Sequence, residues 1–194
     1  MEPLSFMKIS SSIFSSALKT YRLTDSISDK ILGEKLLHFL KELEGIDDAL
    51  LMKEINYIDD SQKYKQNIGR KLLEIISQID SEEKPQIIGK LFKNILTKNI
   101  SYDEFLRLSF LVRNIFISDL LVLKEAKYFQ TIKYRLKPLY AYQIPKNLIS
   151  QDLFSYGLVE NLDADKWPFL TREESKKSVI LTTLGAKLFE FGLK

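Results

Sequence analysis

The sequence predicts a mainly α fold, a multi-helix bundle followed by a C-terminal winged-helix-like element containing one β-hairpin. Three observations carry this expectation. Apolar residues recur at spacings of three and four up to about residue 128. The pattern then breaks at "YFQTIKYRLKPLYAYQIPKN", which is aromatic-rich and holds two prolines, so a helix cannot simply continue through it. The last segment, "LVENL" followed at a distance by "SVILTTLGAKLFEFGL", reads as strand, long loop, strand and threonine-capped helix. With 194 residues, 45% of them hydrophobic, the chain can bury a core in one domain or in one domain plus a small appendage. The boundaries that follow are an amphipathic N-terminal segment over 1–23, a helical bundle over 24–128 and a winged-helix-like subdomain over 129–194.

The elements follow in order. In "FMKISSSIFSSALKTY", Phe6, Ile9, Ile13, Phe14, Ala17 and Tyr21 share one side, with serines, Lys8 and Lys19 on the other. Such a segment docks on its own bundle, on a partner or on a membrane surface, and two basic residues on a serine face make the membrane the weakest of the three. Leu32, Leu36, Phe39, Leu40 and Leu43 mark a helix that ends near Gly45, and a short helix over Asp48–Ile55 follows. Tyr64, Ile68, Leu72, Ile75 and Ile79 form one stripe; Ile88, Leu91, Phe92 and Ile95 form the next, in a helix entered through "SEEKP" with Ser81 as its cap. Gly69 and Gly89, in the similar phrases "IGRKLLEII" and "IGKLFKNIL", each allow a neighbouring helix to come close.

"SYDEF" has capping-box spacing, Ser101 with Glu104 three residues on. The helix it starts is apolar nearly all round from Phe105 to Leu123, leaving a thin polar stripe through Asp103, Arg107, Asn114 and Ser118, so it is expected at the centre of the bundle. Arg113 and Asp119 interrupt it and are expected to find ion-pair partners on other helices, because a buried charge without one is costly. "PKNLISQDLFSYG" reads as a short helix, with Pro145 near its first turn and Gly157 after its last. The front helices of the winged element are expected from the end of the long helix and the region around Pro138.

Several function classes find no support. There is no cysteine, hence no disulfide framework and no thiolate nucleophile or metal ligand. His38 is the one histidine, at spacing four from Glu34 and Glu42. Carboxylate-bridged metal bundles use Glu and His at spacing three on two helices, so His38 reads as a surface histidine paired with a glutamate. No glycine-rich phosphate loop or nucleophile elbow occurs. The run from Asp59 and Asp60 lacks the glycine and terminal glutamate of a calcium loop. The expectation is a non-enzyme with no catalytic residues, no metal and no cofactor. The start lacks the basic region and apolar stretch of a signal peptide. The longest apolar run is interrupted by Arg107, Arg113, Asn114 and Asp119, whereas a membrane span needs about 20 nearly uncharged residues. A cytoplasmic location is expected.

The net charge of +3 is unevenly spread. Lys124, Lys127, Lys133, Arg135, Lys137 and Lys146 face the single acid Glu125 across that stretch, a bias that suits either an anionic partner or a plain solvated surface.

The segments "DKILGEKLLHFLKELE" and "EEKPQIIGKLFKNILTKNISYDEFLRLSFLVRNIFISDL", with the tail "LFSYGLVENL … VILTTLGAKLFEF", resemble a group of uncharacterised bacterial proteins of prophages and mobile elements. Some of these are described as abortive-infection (Abi-alpha-like) phage-resistance proteins. The resemblance spans about residues 26–192 and implies no catalytic residues. Members often begin with a more hydrophobic segment than the serine-diluted start of this chain. Two functional expectations result. In one, the chain is a helical protein-interaction module, possessing a protein partner or self-association, with Trp167 and Phe169 of "KWPFL" as contact candidates. In the other, the winged element binds DNA through Lys133, Arg135, Lys137, Lys146, Arg172, Lys176 and Lys177, with Asn147, Ser150 or Gln151 reading bases. The groove-reading helix of that second reading carries Lys146 alone against Asp152, and Glu173 and Glu174 dilute the wing.

Overall fold

The structure, a computed structural model, describes residues 27–61, 67–134, 137–161 and 178–194. The chain is mainly helical with a small antiparallel sheet in its C-terminal region, and it divides into two compact units, 1–113 and 114–194.

The first unit is built from α1 (Ile27–Lys41), α2 (Asp48–Asp59), α3 (Ile68–Ser77), α4 (Lys84–Leu96) and α5 (Tyr102–Asn114). Each predicted stripe is buried: Leu32, Leu36, Phe39 and Leu40 on α1, Ile68, Leu72 and Ile75 on α3, Ile88, Leu91, Phe92 and Ile95 on α4. Phe92 is fully buried at the core, its ring 5.8 Å from those of both Phe39 and Phe105. Gly89 lets α1 approach α4, since a Cβ there would lie 2.7 Å from the Phe39 carbonyl oxygen and 2.8 Å from Glu42 Cβ.

Polar side chains start the helices, because the first amides of a helix have no partner within it. Asp47 accepts from the Leu50 amide at 2.9 Å and Asn67 from that of Arg70 at 2.8 Å. Ser81 Oγ accepts from Lys84 N at 3.2 Å. The Ser101–Glu104 capping box is closed in both directions: Ser101 N donates to Glu104 Oε2 at 2.9 Å and Glu104 N to Ser101 Oγ at 3.2 Å. Tyr64 and the 1–23 segment lie outside the described residues.

The helix expected over Phe105–Leu123 is two helices. α5 ends at Asn114, and α6 (Ile117–Val122) begins after Phe116, whose φ of −58° and ψ of 141° are extended and cannot belong to a helix. Nor is α5 surrounded. It buries Tyr102, Phe105, Leu108, Leu111 and Val112, while Phe110 stands half exposed beside Arg107 on the solvent side. Near-uniform apolarity therefore spans two short helices separated by an extended residue, and not one central helix.

In the second unit, α6 runs into a 3-10 turn (Leu123–Glu125), then β1 (Lys127–Tyr134) and β2 (Lys137–Pro145). A 3-10 turn (Lys146–Leu148) leads to α7 (Gln151–Ser155), β3 (Val159–Asn161), β4 (Ser178–Leu181) and α8 (Thr183–Leu188), which continues as a π-helical turn over Phe189–Leu193. The sheet order is β1-β2-β4-β3, all antiparallel, with Lys127 opposite Gln143 and Tyr134 opposite Lys137 in the first pair. Residues around Pro138 are thus strand, where the winged element had been expected to draw a helix. A proline is tolerated there because β4 reaches only Gln143–Pro145, so β2 has a single neighbour at Pro138.

The expected β3–β4 pair and capped final helix are present. Thr182 Oγ1 accepts from Gly185 N at 3.1 Å and donates to the Gly157 carbonyl at 2.6 Å. Gly157 follows α7 with φ +67°, the left-handed value that favours glycine at a helix end. Tyr142 fastens β2 to the C-terminal helix. Its hydroxyl donates to Glu190 Oε1 at 2.6 Å and its ring packs 5.0 Å from that of Phe189, with Lys194 Nζ 4.7 Å above the latter.

Candidate functional site

Of the residues suited to nucleic acid, Lys146, Asn147 and Gln151 are exposed and close in sequence, and Lys133 and Lys137 belong to β1 and β2. Arg135, Arg172, Lys176 and Lys177 lie outside the described residues, as do Trp167 and Phe169. The helix expected over the whole of "PKNLISQDLFSYG" is interrupted. A 3-10 turn ends at Leu148, Ile149 is extended, and α7 is only 5 residues long. The Ser150 hydroxyl spends its one proton on Asp119 Oδ2 at 2.8 Å, which leaves it only as an acceptor.

Neither interrupting charge of the apolar run forms an ion pair among the described residues. Asp119 takes the Ser150 hydroxyl, and the Arg113 guanidinium donates to Gln78 Oε1 and lies 5.4 Å over the Phe110 ring. Both residues are only partly buried, so water supplies the remaining solvation that a full ion pair would otherwise have to provide. His38 likewise meets an amide, not a glutamate. Gln86 Nε2 sits 3.1 Å from His38 Nδ1, and since the amide nitrogen only donates, Nδ1 is the accepting nitrogen.

The loop between α3 and α4 gathers side chains from three helices. Lys35 of α1 donates to the Ile79 carbonyl, and Arg113 of α5 reaches Gln78. Lys84 is fully buried, its ammonium shared between Asp80 Oδ1 at 2.5 Å and the Arg113 carbonyl at 3.2 Å, so a cation closes the C-terminal end of α5. The hydrogen bond from Lys84 holds the Asp80 carboxyl below its ordinary value of 3.8. A carboxylate whose folded-state pKa is depressed adds stability that is complete above its unfolded pKa and lost as the pH falls through the folded one. Asp80→Asn is accordingly expected to lower stability at neutral pH. The difference from wild type should shrink as the pH falls below the ordinary carboxylate range and through the depressed folded-state pKa, checked by urea denaturation across the acid range. A difference independent of pH would show that the charge on Asp80 is not what matters.

The first unit also carries a cleft of about 400 Å³ between α2, the end of α4, the turn into α5 and the first turn of α5. Glu54 of α2 stands in its wall with only 6% of its surface exposed, paired with Lys98 Nζ at 3.4 Å. The Lys98 side chain is 73% exposed, and its backbone holds φ +59°, a value that costs a non-glycine residue about 1 kcal/mol. The wrap-up of α4 enforces that conformation. The amides of Asn99 and Ile100 both donate to the Asn94 carbonyl, at 3.0 and 3.3 Å, and Asn99 Nδ2 donates to Asn94 Oδ1 at 2.7 Å. Tyr57, Tyr102 and Glu104 complete the walls. Sequence reasoning passed over this site although Glu54 carries a signal. It falls three after Leu51 and four before Ile58, inside the apolar stripe of α2, where a carboxylate is out of place.

Compared with protein families, with curated proteins and with solved structures, the chain shows no match in any of the three. No group of three or more His, Cys, Asp or Glu residues able to hold a metal ion occurs among the described residues. Among those residues, too, no helix is long and apolar enough to cross a membrane.

Proposed function

We propose that this chain is a non-enzymatic helical protein-interaction module, working by docking to a protein partner or to a second copy of itself. Phage defence or mobile-element biology is the setting that its resemblance to abortive-infection proteins suggests. The observation that carries the reading is the character of the surface around α7. A helix of 5 residues is about 7.5 Å long, too short to lay several side chains along a major groove. Close by, Leu148 is 43% exposed, and Phe116 and Tyr128 of the same unit are 66% and 54% exposed. Large apolar side chains left in water suit a protein surface better than a phosphate backbone.

The test pairs two measurements. Affinity capture is expected to retain a defined partner, or sedimentation a self-associated species, with the wild-type chain, and Phe116→Asp combined with Leu148→Asp is expected to abolish it. Both residues are exposed, so the double variant should keep its helical circular dichroism. A monomer that retains nothing overturns the proposal. Salt-sensitive binding of nonspecific duplex DNA would replace it with the nucleic-acid reading, for which the exposure of Lys146, Asn147 and Gln151 leaves room.

A further inference from the structure

We propose that the cleft between α2 and the α4–α5 turn binds an organic cation, an alkylammonium or guanidinium group, with Glu54 as its receiving carboxylate and Lys98 as a built-in occupant that the ligand displaces. This goes beyond the docking role above and is carried by a different part of the molecule.

Glu54 is buried. A carboxylate taken out of water needs a cation beside it, and among the described residues Lys98 alone supplies one. That lysine is poorly suited to permanent duty. Its side chain is largely in solvent, its contact of 3.4 Å is loose, and its backbone is held where glycine would be preferred. A largely exposed lysine gives up such a contact at small cost, so an incoming cation meets a weak competitor.

Glu54 and Glu104 outnumber Lys98 in the lining, which disfavours an anion. Glu104 is committed to the Ser101 amide and hydroxyl, so it shapes the local potential and leaves Glu54 to receive the ligand. Tyr57, 71% exposed, adds to the lining an aromatic ring of the kind that suits a weakly hydrated cation. A volume of about 400 Å³ holds more than a metal ion and fits a small organic group. The same chemistry is offered by a free polyamine or guanidinium compound and by an arginine or lysine side chain of a protein partner.

The experiment is a titration of the full chain, followed by amide chemical shifts, with butylguanidinium and with a short end-blocked peptide containing one arginine. Saturable shifts are expected at Glu54 and Lys98–Tyr102. Glu54→Gln should weaken binding at least about tenfold, and Lys98→Gly should tighten it by about tenfold by removing the competing ammonium. Lys98→Gly also relieves the backbone, so that arm stays informative even if Glu54→Gln folds poorly. Tighter binding of the peptide than of butylguanidinium assigns the site to a partner's side chain, and equal binding assigns it to a free small cation. Absence of saturable shifts with both probes, unchanged binding in Glu54→Gln, or weaker binding in Lys98→Gly overturns the proposal.

Discussion

Replacing Phe92 with alanine is expected to destabilise the first unit by about 3–5 kcal/mol, the usual cost of deleting a fully buried aromatic side chain. The cost combines the lost transfer of the ring out of water with the void it leaves. That void cannot close easily. Phe39 approaches from α1 and Phe105 from α5, each with its ring centre 5.8 Å away, so collapse would require two helices to move onto α4 together. One of those movements is already blocked, because α1 rests on α4 at Gly89 with no space left for even a methyl group. Against a typical domain stability of about 5–15 kcal/mol, such a loss should be plain in a urea titration followed by circular dichroism. Phe92→Leu keeps most of the volume and is expected to cost less than about 1.5 kcal/mol. Similar losses for the two variants would mean that Phe92 is not the packing centre of the first unit.

The same packing shows which parts of the fold can be read from the chain. Helices α1, α3 and α4 were legible because one face of each is buried and the apolar spacing records it. Ser101 was legible because capping is local chemistry, settled within four residues, whereas Ser81, whose Oγ does accept from Lys84 N, sits two residues ahead of the N-cap of α4, Glu83. What failed was long-range. The break at Phe116 has no proline or glycine to announce it, although Ile115 and Leu120 are both fully buried on either side of that extended residue. The β1–β2 pair is made of residues whose aromatic, β-branched content was visible, but the pairing of Lys127 with Gln143 is a contact that no local pattern specifies. The cleft was hidden for the same reason. Glu54 and Lys98 meet across more than forty residues of chain, and the positive φ of Lys98 follows from how α4 ends, not from any residue that usually adopts it.

Gly185→Ala is expected to be the most damaging methyl addition in the second unit. A Cβ at Gly185 would lie 2.0 Å from the Leu158 carbonyl oxygen and 2.9 Å from its carbonyl carbon, far inside any real contact. Both obstacles are backbone, so no side chain can swing away. The carbonyl is also held, since Leu158 O accepts from Thr182 N at 3.0 Å, and Thr182 in turn caps α8 through its hydroxyl. Relief must pull α8 off the start of β3 or break that hydrogen bond, at a cost expected near the upper end of overpacking penalties, about 3 kcal/mol. Two other glycines make the argument a series. In α1, Gly33 has nothing within 4 Å of an added Cβ, so Gly33→Ala should stabilise by about 0.5–1 kcal/mol through helix propensity alone. Gly89 lies between, with its nearest backbone obstacle at 2.7 Å and its next neighbour the Cβ of Glu42 in the turn after α1, which can shift only with the backbone. Denaturation of the three variants should therefore rank them Gly33→Ala above wild type, then Gly89→Ala, then Gly185→Ala. A neutral Gly185→Ala would place the N-terminus of α8 farther from Leu158 than the structure has it, and would remove the reason for a glycine at the third position of a threonine-capped helix.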